Sequence, residues 1–140
     1  MNRKTNLLVV DGSRTTMRHI DSIFGGYCQI HLAQTGIEAM DVVEIKPIDI
    51  IIMNRNLPDM DGFDLLEKWH KERLTDDISV VIAGDERNKQ QEVEALQKGA
   101  ADYISMPFVP EILKLRVDHL VELHYYRKEL ESEIKKQKKK

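Results

Sequence analysis

Asp11 and Asn54 are the residues whose types and positions most directly indicate chemistry, since each directly follows a run of apolar residues. A carboxylate in such a place can attack a phosphoryl donor, but the amide of Asn54 has no anionic oxygen and cannot form an acyl phosphate. Apolar runs also lead into Ala83-Gly84-Asp85 and Met106. If these runs are parallel strands, their carboxyl ends meet at one edge of a sheet, which is where open α/β sheets bind ligands. We therefore predict that these segments form one site, with an amide in its centre.

Apolar runs that favour strands alternate along the chain with segments that favour helices. The run 48–53 is the most apolar and is predicted to be the central strand. The predicted strands cover residues 7–10, 27–32, 48–53, 79–83 and 101–105. The first predicted helix is capped by Ser13 and ends at Gly25; the others cover 35–45, 63–74 and 88–98, and a long last helix begins near Pro110. This order predicts an α/β fold, a doubly wound sheet of five parallel strands.

Composition and charge indicate one small domain that carries a basic end. The 140 residues are 41% apolar and 32% charged, and five of the last six residues are lysines. Since the net charge is −3, the chain without those five lysines carries −8. The single cysteine, Cys28, excludes an intramolecular disulfide and is compatible with a reducing compartment. No apolar run reaches membrane-spanning length, so we expect a cytoplasmic protein that does not bind membranes.

Four segments resemble response-regulator receiver domains, and the similarity extends over roughly residues 5–120. They read Val-Val-Asp at 9–11, Leu-Pro-Asp-Met-Asp-Gly at 57–62, Gly-Ala-Ala-Asp-Tyr at 99–103 and Met-Pro-Phe at 106–108. The resemblance implies a flavodoxin-like (βα)5 three-layer sandwich and a role in two-component, phosphorelay signalling.

The resemblance also implies where a receiver's reactive residues would lie, and this chain departs from the pattern at most of them. Receivers hold Mg²⁺ with two carboxylates after the first strand and with the phosphorylated aspartate; the corresponding residues here are Asp11, Gly12 and Asn54. Gly84 stands where a Ser or Thr is expected, and Met106 where a Lys is expected. We therefore predict a degenerate pocket that has no catalytic residue and no magnesium cofactor. Asp11 is a weak candidate for a metal ligand in it. The predicted residues of this pocket are Asp11, Gly12, Asn54, Asn56, Gly84 and Met106. Asn56 could offer a carbonyl oxygen to a cation.

The aromatic residue that the missing hydroxyl would pull on in a receiver is retained as Tyr103. By resemblance, Tyr103, Pro107 and Phe108 are predicted to belong to a switch and interaction face made by the fourth helix, the fifth strand and the fifth helix.

The last helix is longer than a receiver needs to cover its sheet. We predict a receiver-like domain over 1–122 and a projecting helix over 123–140 that could lead to an output domain. Leu120, Leu123, Leu130 and Ile134 form a short candidate seam for a homodimer. The lysine run is interpreted as a solvated helix end, and nucleic acid is not an expected partner because the body is acidic.

These observations predict a receiver that is no enzyme, has no small-molecule substrate and acts without phosphorylation, through a protein partner, a tethered output domain or dimerisation. Two alternatives remain open from the sequence. One is an active receiver phosphorylated at a non-standard aspartate, Asp11 or Asp59, with weak Mg²⁺ binding. The other is a small-ligand sensor that uses a pocket made roomier by Gly12 and Gly84.

Overall fold

A single five-stranded parallel sheet, in the order β2-β1-β3-β4-β5, organises the chain. The computed structural model describes residues 4–85 and 88–138. The strands are β1 (Thr5–Val10), β2 (Cys28–Ala33), β3 (Ile50–Asn54), β4 (Ser79–Asp85) and β5 (Asp102–Met106). The helices are α1 (Arg14–Phe24), α2 (Gly36–Ile45), α3 (Gly62–Lys71), α4 (Lys89–Gln97) and α5 (Pro110–Lys138), and a 3-10 turn covers Leu74–Asp76. The predicted doubly wound α/β fold and the central place of β3 are confirmed.

Four helices begin at a side chain that accepts a hydrogen bond from a backbone N–H of the first turn. Such caps satisfy donors that the helix itself leaves without a partner. The acceptor–donor pairs are Ser13 with Thr16 (3.2 Å), Thr35 with Glu38 (3.1 Å), Asp61 with Phe63 (2.8 Å) and Asn88 with Gln91 (3.1 Å). The cap predicted at Ser13 is confirmed, and each cap fixes the point at which the chain leaves the site edge of the sheet.

Alternate residues of the strands supply two cores, one on each face of the sheet. Leu7, Val9 and Ile52 pack with α1 and α5 on one face. Leu8 and Met53 pack with α2, α3 and α4 on the other face. A fully buried aliphatic side chain contributes about 1.5–3 kcal/mol, so β3, buried on both faces, has little freedom to shift its register. The position of Asn54 at its end is therefore firmly set.

Several element boundaries differ from the sequence prediction by one to three residues, and three of them bear on the site. β3 begins at Ile50 instead of residue 48. α3 ends at Lys71 instead of residue 74, because Arg73 takes a left-handed conformation (φ 65°) that stops the helix. β4 continues to Asp85, two residues beyond the predicted end, since Gly84 and Asp85 pair with Ser105 and Met106 of β5.

α5 has 29 residues and is about 43 Å long at 1.5 Å per residue. Leu113 and Val117 are buried against the sheet, and Arg127 Nη2 still lies 3.5 Å from Asp77 Oδ1 of the body. Residues 126–138 are exposed. The division at 122/123 stays a prediction, and Lys139 and Lys140 of the predicted basic end lie outside the described residues. No helix within 4–85 and 88–138 is long and apolar enough to span a membrane.

Candidate functional site

The carboxyl ends of β1, β3, β4 and β5 bring together the residues that the sequence nominated. Asp11, next after β1, is buried, and its two carboxylate oxygens each accept one hydrogen bond. Oδ1 accepts from Ser13 N (2.8 Å) and Oδ2 accepts from Asn54 Nδ2 (3.1 Å). Asn54 Oδ1 in turn accepts from Asn56 N (2.8 Å). One orientation of the Asn54 amide makes both contacts, with its NH2 group toward Asp11 and its oxygen toward the backbone N–H of Asn56.

This donor set does not fit Mg²⁺. A magnesium ion needs oxygen ligands, and in this pocket Asn54 presents a nitrogen donor to the one buried carboxylate. Asn56 uses its backbone N–H to hold Asn54, and its side chain has no hydrogen bond to a described residue. Across 4–85 and 88–138 there is no cluster of three His, Cys, Asp or Glu side chains that could hold a metal. The Asn54 amide stabilises the Asp11 carboxylate by a hydrogen bond and occupies the side of the carboxylate that faces Asn54.

Arg55 brings a positive charge to the β3–α3 connection without entering the pocket. Its Nε lies 3.3 Å from Asp61 Oδ1, and its guanidinium lies 4.2 Å from the centre of the Phe63 ring. Asp61 also caps α3 through the N–H of Phe63. Arg55 and Asp61 are therefore engaged with each other and with α3.

Both glycines of the pocket face a neighbouring side chain rather than open space. A Cβ on Gly12 would lie 3.0 Å from Pro58 Cγ. A Cβ on Gly84 would lie 2.9 Å from Cζ and 3.0 Å from Cε2 of Tyr103, and closer still to the hydroxyl oxygen. The Tyr103 ring thus fills the volume that a side chain at 84 would need. We define this arrangement as the Gly84 notch.

Tyr103 is held in the Gly84 notch by hydrogen bonds at its hydroxyl. The hydroxyl oxygen lies 2.9 Å from Asp85 O, to which it donates, and 3.2 Å from Gln91 Oε1 of α4. Only 5% of the residue is exposed. Burial, followed by the nearby charge of Asp85, raises the pKa of Tyr103 above its ordinary value, so the hydroxyl stays a donor. The ring therefore links β4, β5 and α4.

Met106 ends β5 and borders the pocket together with Asp11 and Asn54. The Met106–Pro107 peptide is cis, and Phe108 stacks at a tilt on His19 of α1 with 5.0 Å between ring centres. The cavity beside these residues has a volume of about 10 Å³, the room that one water needs. The expectation of a roomier pocket was wrong, because Pro58 and Tyr103 fill the space beside Gly12 and Gly84.

The family model of the response regulator receiver domain matches residues 7–118, which is most of the chain. The chain belongs to the response-regulator receiver family. This assignment places it in two-component signalling and agrees with its sheet order.

Relatives and solved structures of receivers match almost all of the folded body. A chemotaxis protein CheY homolog of Campylobacter jejuni is 30% identical over 118 residues, which are 82% of this chain and 91% of that protein. Chemotaxis protein CheY1 of Helicobacter pylori is 31% identical over 115 residues, which are 80% of this chain and 93% of that protein. The receiver domain of the Francisella response regulator 1452 superposes with a TM-score of 0.79 at 25% identity, covering 85% of this chain and 98% of that one.

This receiver places its predicted interaction residues in three different environments. Tyr103 is buried in the Gly84 notch, Pro107 is exposed, and Phe108 is half-buried toward α1. Of the predicted helix seam, Leu120 packs into the core beside α1, whereas Leu123, Leu130 and Ile134 are 65%, 62% and 45% exposed. Leu120 is thus the least exposed of the four residues, and the seam stays a prediction.

Sequence reasoning missed the role of Asp59 in this receiver. Its Oδ1 accepts from Gly36 N (2.9 Å) and its Oδ2 accepts from Ile37 N (3.1 Å). These backbone hydrogen bonds, that of Gly36 first, hold the pKa of Asp59 below its ordinary value. The aspartate thus ties the β3–α3 loop to the start of α2, a contact between residues 22 and 23 positions apart that no local pattern reveals.

Proposed function

We propose that this receiver is a phosphorylation-independent interaction module: a pseudo-receiver that needs no Mg²⁺ and acts through a protein partner or a connected output domain. The observation that carries the proposal is the hydrogen bond from Asn54 Nδ2 to Asp11 Oδ2. Asn54 lies where a receiver's reactive carboxylate would be, and there it presents an N–H group that is already hydrogen-bonded.

The Gly84 notch supports the same proposal from the other side of the pocket. In receivers a hydroxyl after the fourth strand follows the phosphoryl group and pulls on the aromatic residue of the fifth strand. Here that aromatic residue, Tyr103, is already turned inward and bonded to Asp85 O. The α4–β5–α5 face is thereby fixed in one state without a phosphoryl group.

The α4–β5–α5 face supplies the surface for such contacts. It carries large apolar side chains that are about half exposed, a feature typical of interaction sites when they lie close together. These residues are Val93, Leu96, Val109, Ile112 and Leu115.

α5 is the second element through which the module would act. Leu123, Leu130 and Ile134 give its exposed part an apolar stripe that fits a homodimer. A Vibrio cholerae relative, described as a probable cyclic di-GMP phosphodiesterase, matches this chain over only 25% of its own length at 26% identity. That a receiver-like segment makes up about a quarter of that relative supports a connected output domain for this chain too. We also propose a cytoplasmic location, on the basis of the signalling role of the receiver family.

The structure weighs against both alternative functions. Both oxygens of Asp11 and both of Asp59 accept hydrogen bonds, so phosphorylation of either would break established contacts. The cavity beside Asp11 holds about one water, which is too small for a metabolite.

The test is phosphoryl uptake. The chain is incubated with acetyl phosphate and Mg²⁺, and its intact mass is measured. The positive control is the triple variant Gly12→Asp, Asn54→Asp, Met106→Lys, which restores the expected residues; Gly84 is left unchanged because Tyr103 occupies its notch. We expect no phosphoryl group on the native chain and, on the variant, a carboxyl phosphate that is removed by base or by hydroxylamine. Stoichiometric phosphorylation of the native chain would overturn the proposal.

A further inference from the structure

A second cleft lies at the opposite edge of the sheet, where β1 and β3 begin. It is formed between these strand starts and the middle of α5 and has a volume of about 200 Å³, some twenty times that of the cavity beside Asp11. Its lining residues come from two sources. Lys4, Thr5 and Asp49 belong to the strand starts, and Val121, His124, Tyr125 and Lys128 belong to α5. We call it the basal cleft.

The charged groups of the basal cleft favour an anion. Two lysines, Lys4 and Lys128, face one carboxylate, Asp49. That carboxylate is already engaged, since its Oδ2 accepts from Asn6 N (2.8 Å) and its Oδ1 lies 3.0 Å from His124 Nε2. Among residues 4–85 and 88–138, the ion-pair contact of Lys128 is a distant, exposed one, 3.9 Å from Glu131 Oε1. Exposed pairs of this kind contribute about 0–1 kcal/mol, so the lysine can turn to a ligand at little cost.

His124 is a largely buried polar side chain of the basal cleft. Its side chain is 11% exposed, and its Nε2 atom lies 3.0 Å from Asp49 Oδ1, close enough for an ion pair but without the alignment of a hydrogen bond. Because this contact is poorly aligned, a ligand bound in the basal cleft would give the His124 ring a better-aligned polar partner.

The remaining walls of the basal cleft are apolar. Val121 and Tyr125 line it from α5. The Tyr125 ring meets the Tyr126 ring edge-on, with 5.5 Å between ring centres, and supplies a flat apolar wall of the cleft. Small-molecule sites combine such apolar walls with a few placed polar groups.

We infer that the basal cleft binds a small organic anion with one aromatic ring, an aryl phosphate or aryl carboxylate, whose anionic group lies between Lys4, His124 and Lys128. The ring packs on Tyr125 and Val121. The volume, below the roughly 300–1,000 Å³ of drug-sized sites, limits the ligand to about one ring. Because the ligand contacts both the strand starts and α5, its binding holds α5 against the body. The inference does not depend on the proposed function, since it concerns the other edge of the sheet.

The test is a titration of the ¹⁵N-labelled chain with phenyl phosphate, followed by amide spectra and by long-range ¹H–¹⁵N spectra of the histidine rings. We expect saturable shifts at Lys4, Asp49 and Lys128 and at the His124 ring, and none at Asp11 or Asn54. Benzyl alcohol, which has the ring without the charge, should give no saturable shift. Inorganic phosphate, which has the charge without the ring, should bind at least about tenfold more weakly than phenyl phosphate.

Two matched lysine variants decide whether the cleft is responsible. Lys128→Glu should weaken phenyl phosphate binding at least about tenfold, because it removes a hydrogen bond to a charged group. Lys136→Glu is the control: Lys136 lies on the same helix, outside the cleft, and has the same 3.9 Å contact with a glutamate three positions away. Equal weakening by both variants, or no saturable shift in the native chain, would overturn the inference.

Discussion

The Tyr103 hydroxyl oxygen lies in the position that a side chain on Gly84 would occupy. The two residues belong to the neighbouring strands β5 and β4. Gly84 pairs with Ser105 in the β4–β5 ladder, and Tyr103 reaches it from two positions earlier on β5. The missing side chain and the inward ring are thus two aspects of one packing arrangement. In this chain, a side chain added at 84 would overlap the Tyr103 ring unless the ring moved.

Gly84→Ala is expected to destabilise the fold by about 1–3 kcal/mol, because the added Cβ overlaps the Tyr103 ring and forces it outward. Urea unfolding would measure the loss, and Tyr103 fluorescence or its ring NMR signals would report the movement. The matched control is Gly26→Ala, since a Cβ on Gly26 meets nothing within 4 Å. Equal stability of the two alanine variants would contradict the Gly84 notch.

Asn54→Asp is expected to lower stability by about 1–3 kcal/mol without Mg²⁺, since it turns a hydrogen bond to Asp11 into a contact of two carboxylates. Mg²⁺ should recover part of the loss, which thermal unfolding with and without the ion would show. Asn88→Asp makes the same exchange at the cap of α4, where aspartate caps equally well, and should be neutral. A variant at 54 that is as stable as the native chain without Mg²⁺ would contradict the assigned hydrogen bond.

Asp59→Asn is expected to lower the urea midpoint at pH 7, because the ionised carboxylate holds the N–H groups of Gly36 and Ile37. The folded pKa of Asp59 lies below its unfolded value of about 3.9, so its contribution is present above that value and is lost as pH falls through the folded pKa. The difference between native chain and variant should therefore shrink as the pH falls from about 5 through the folded pKa. Asp41→Asn, on the exposed surface of α2, serves as the control. A difference that is independent of pH would contradict the role of the charge.

Leu130→Asp is expected to shift the chain from dimer to monomer in sedimentation velocity, if α5 pairs through its apolar stripe. Leu115→Asp tests the other proposed surface, the α4–β5–α5 face, because Leu115 lies on the same helix and is 61% exposed against 62% for Leu130. Dissociation by the substitution at 115 and not at 130 would transfer the dimer contact to the α4–β5–α5 face. A native chain that is monomeric at all concentrations would refute the seam.

The sequence was sufficient to predict the order of the elements and the edge of the sheet at which the polar residues meet. The alternation of apolar runs with helical segments settles the sheet, and the apolar character of 50–53 settles its centre. The end of α3 was missed because a left-handed arginine carries no local signal comparable to glycine. The extension of β4 was missed because Gly84 and Asp85 have low strand preference and owe their conformation to the ladder with β5.

Side-chain packing over long separations limited the prediction of the site. Asp11 and Asn54 were expected to share a pocket, and they do, but their direct hydrogen bond depends on the amide orientation. The space beside Gly84 was expected to be open, whereas Tyr103, nineteen residues later, closes it. A glycine in a sequence shows that a side chain is missing; it does not show which neighbour takes the space.

α5 connects the two edges of the sheet in one unbroken rod. Leu113, near its start, borders the cavity of Asp11, and His124, three turns later, borders the basal cleft. From Val117, the last fully buried residue of the helix, to Lys138 the rod extends about 32 Å at 1.5 Å per residue. A tilt of about 5° around Val117 would displace the far end by about 3 Å. The helix has the geometry of a lever, since a small repacking at either edge of the sheet would become a displacement of several ångström at its far end.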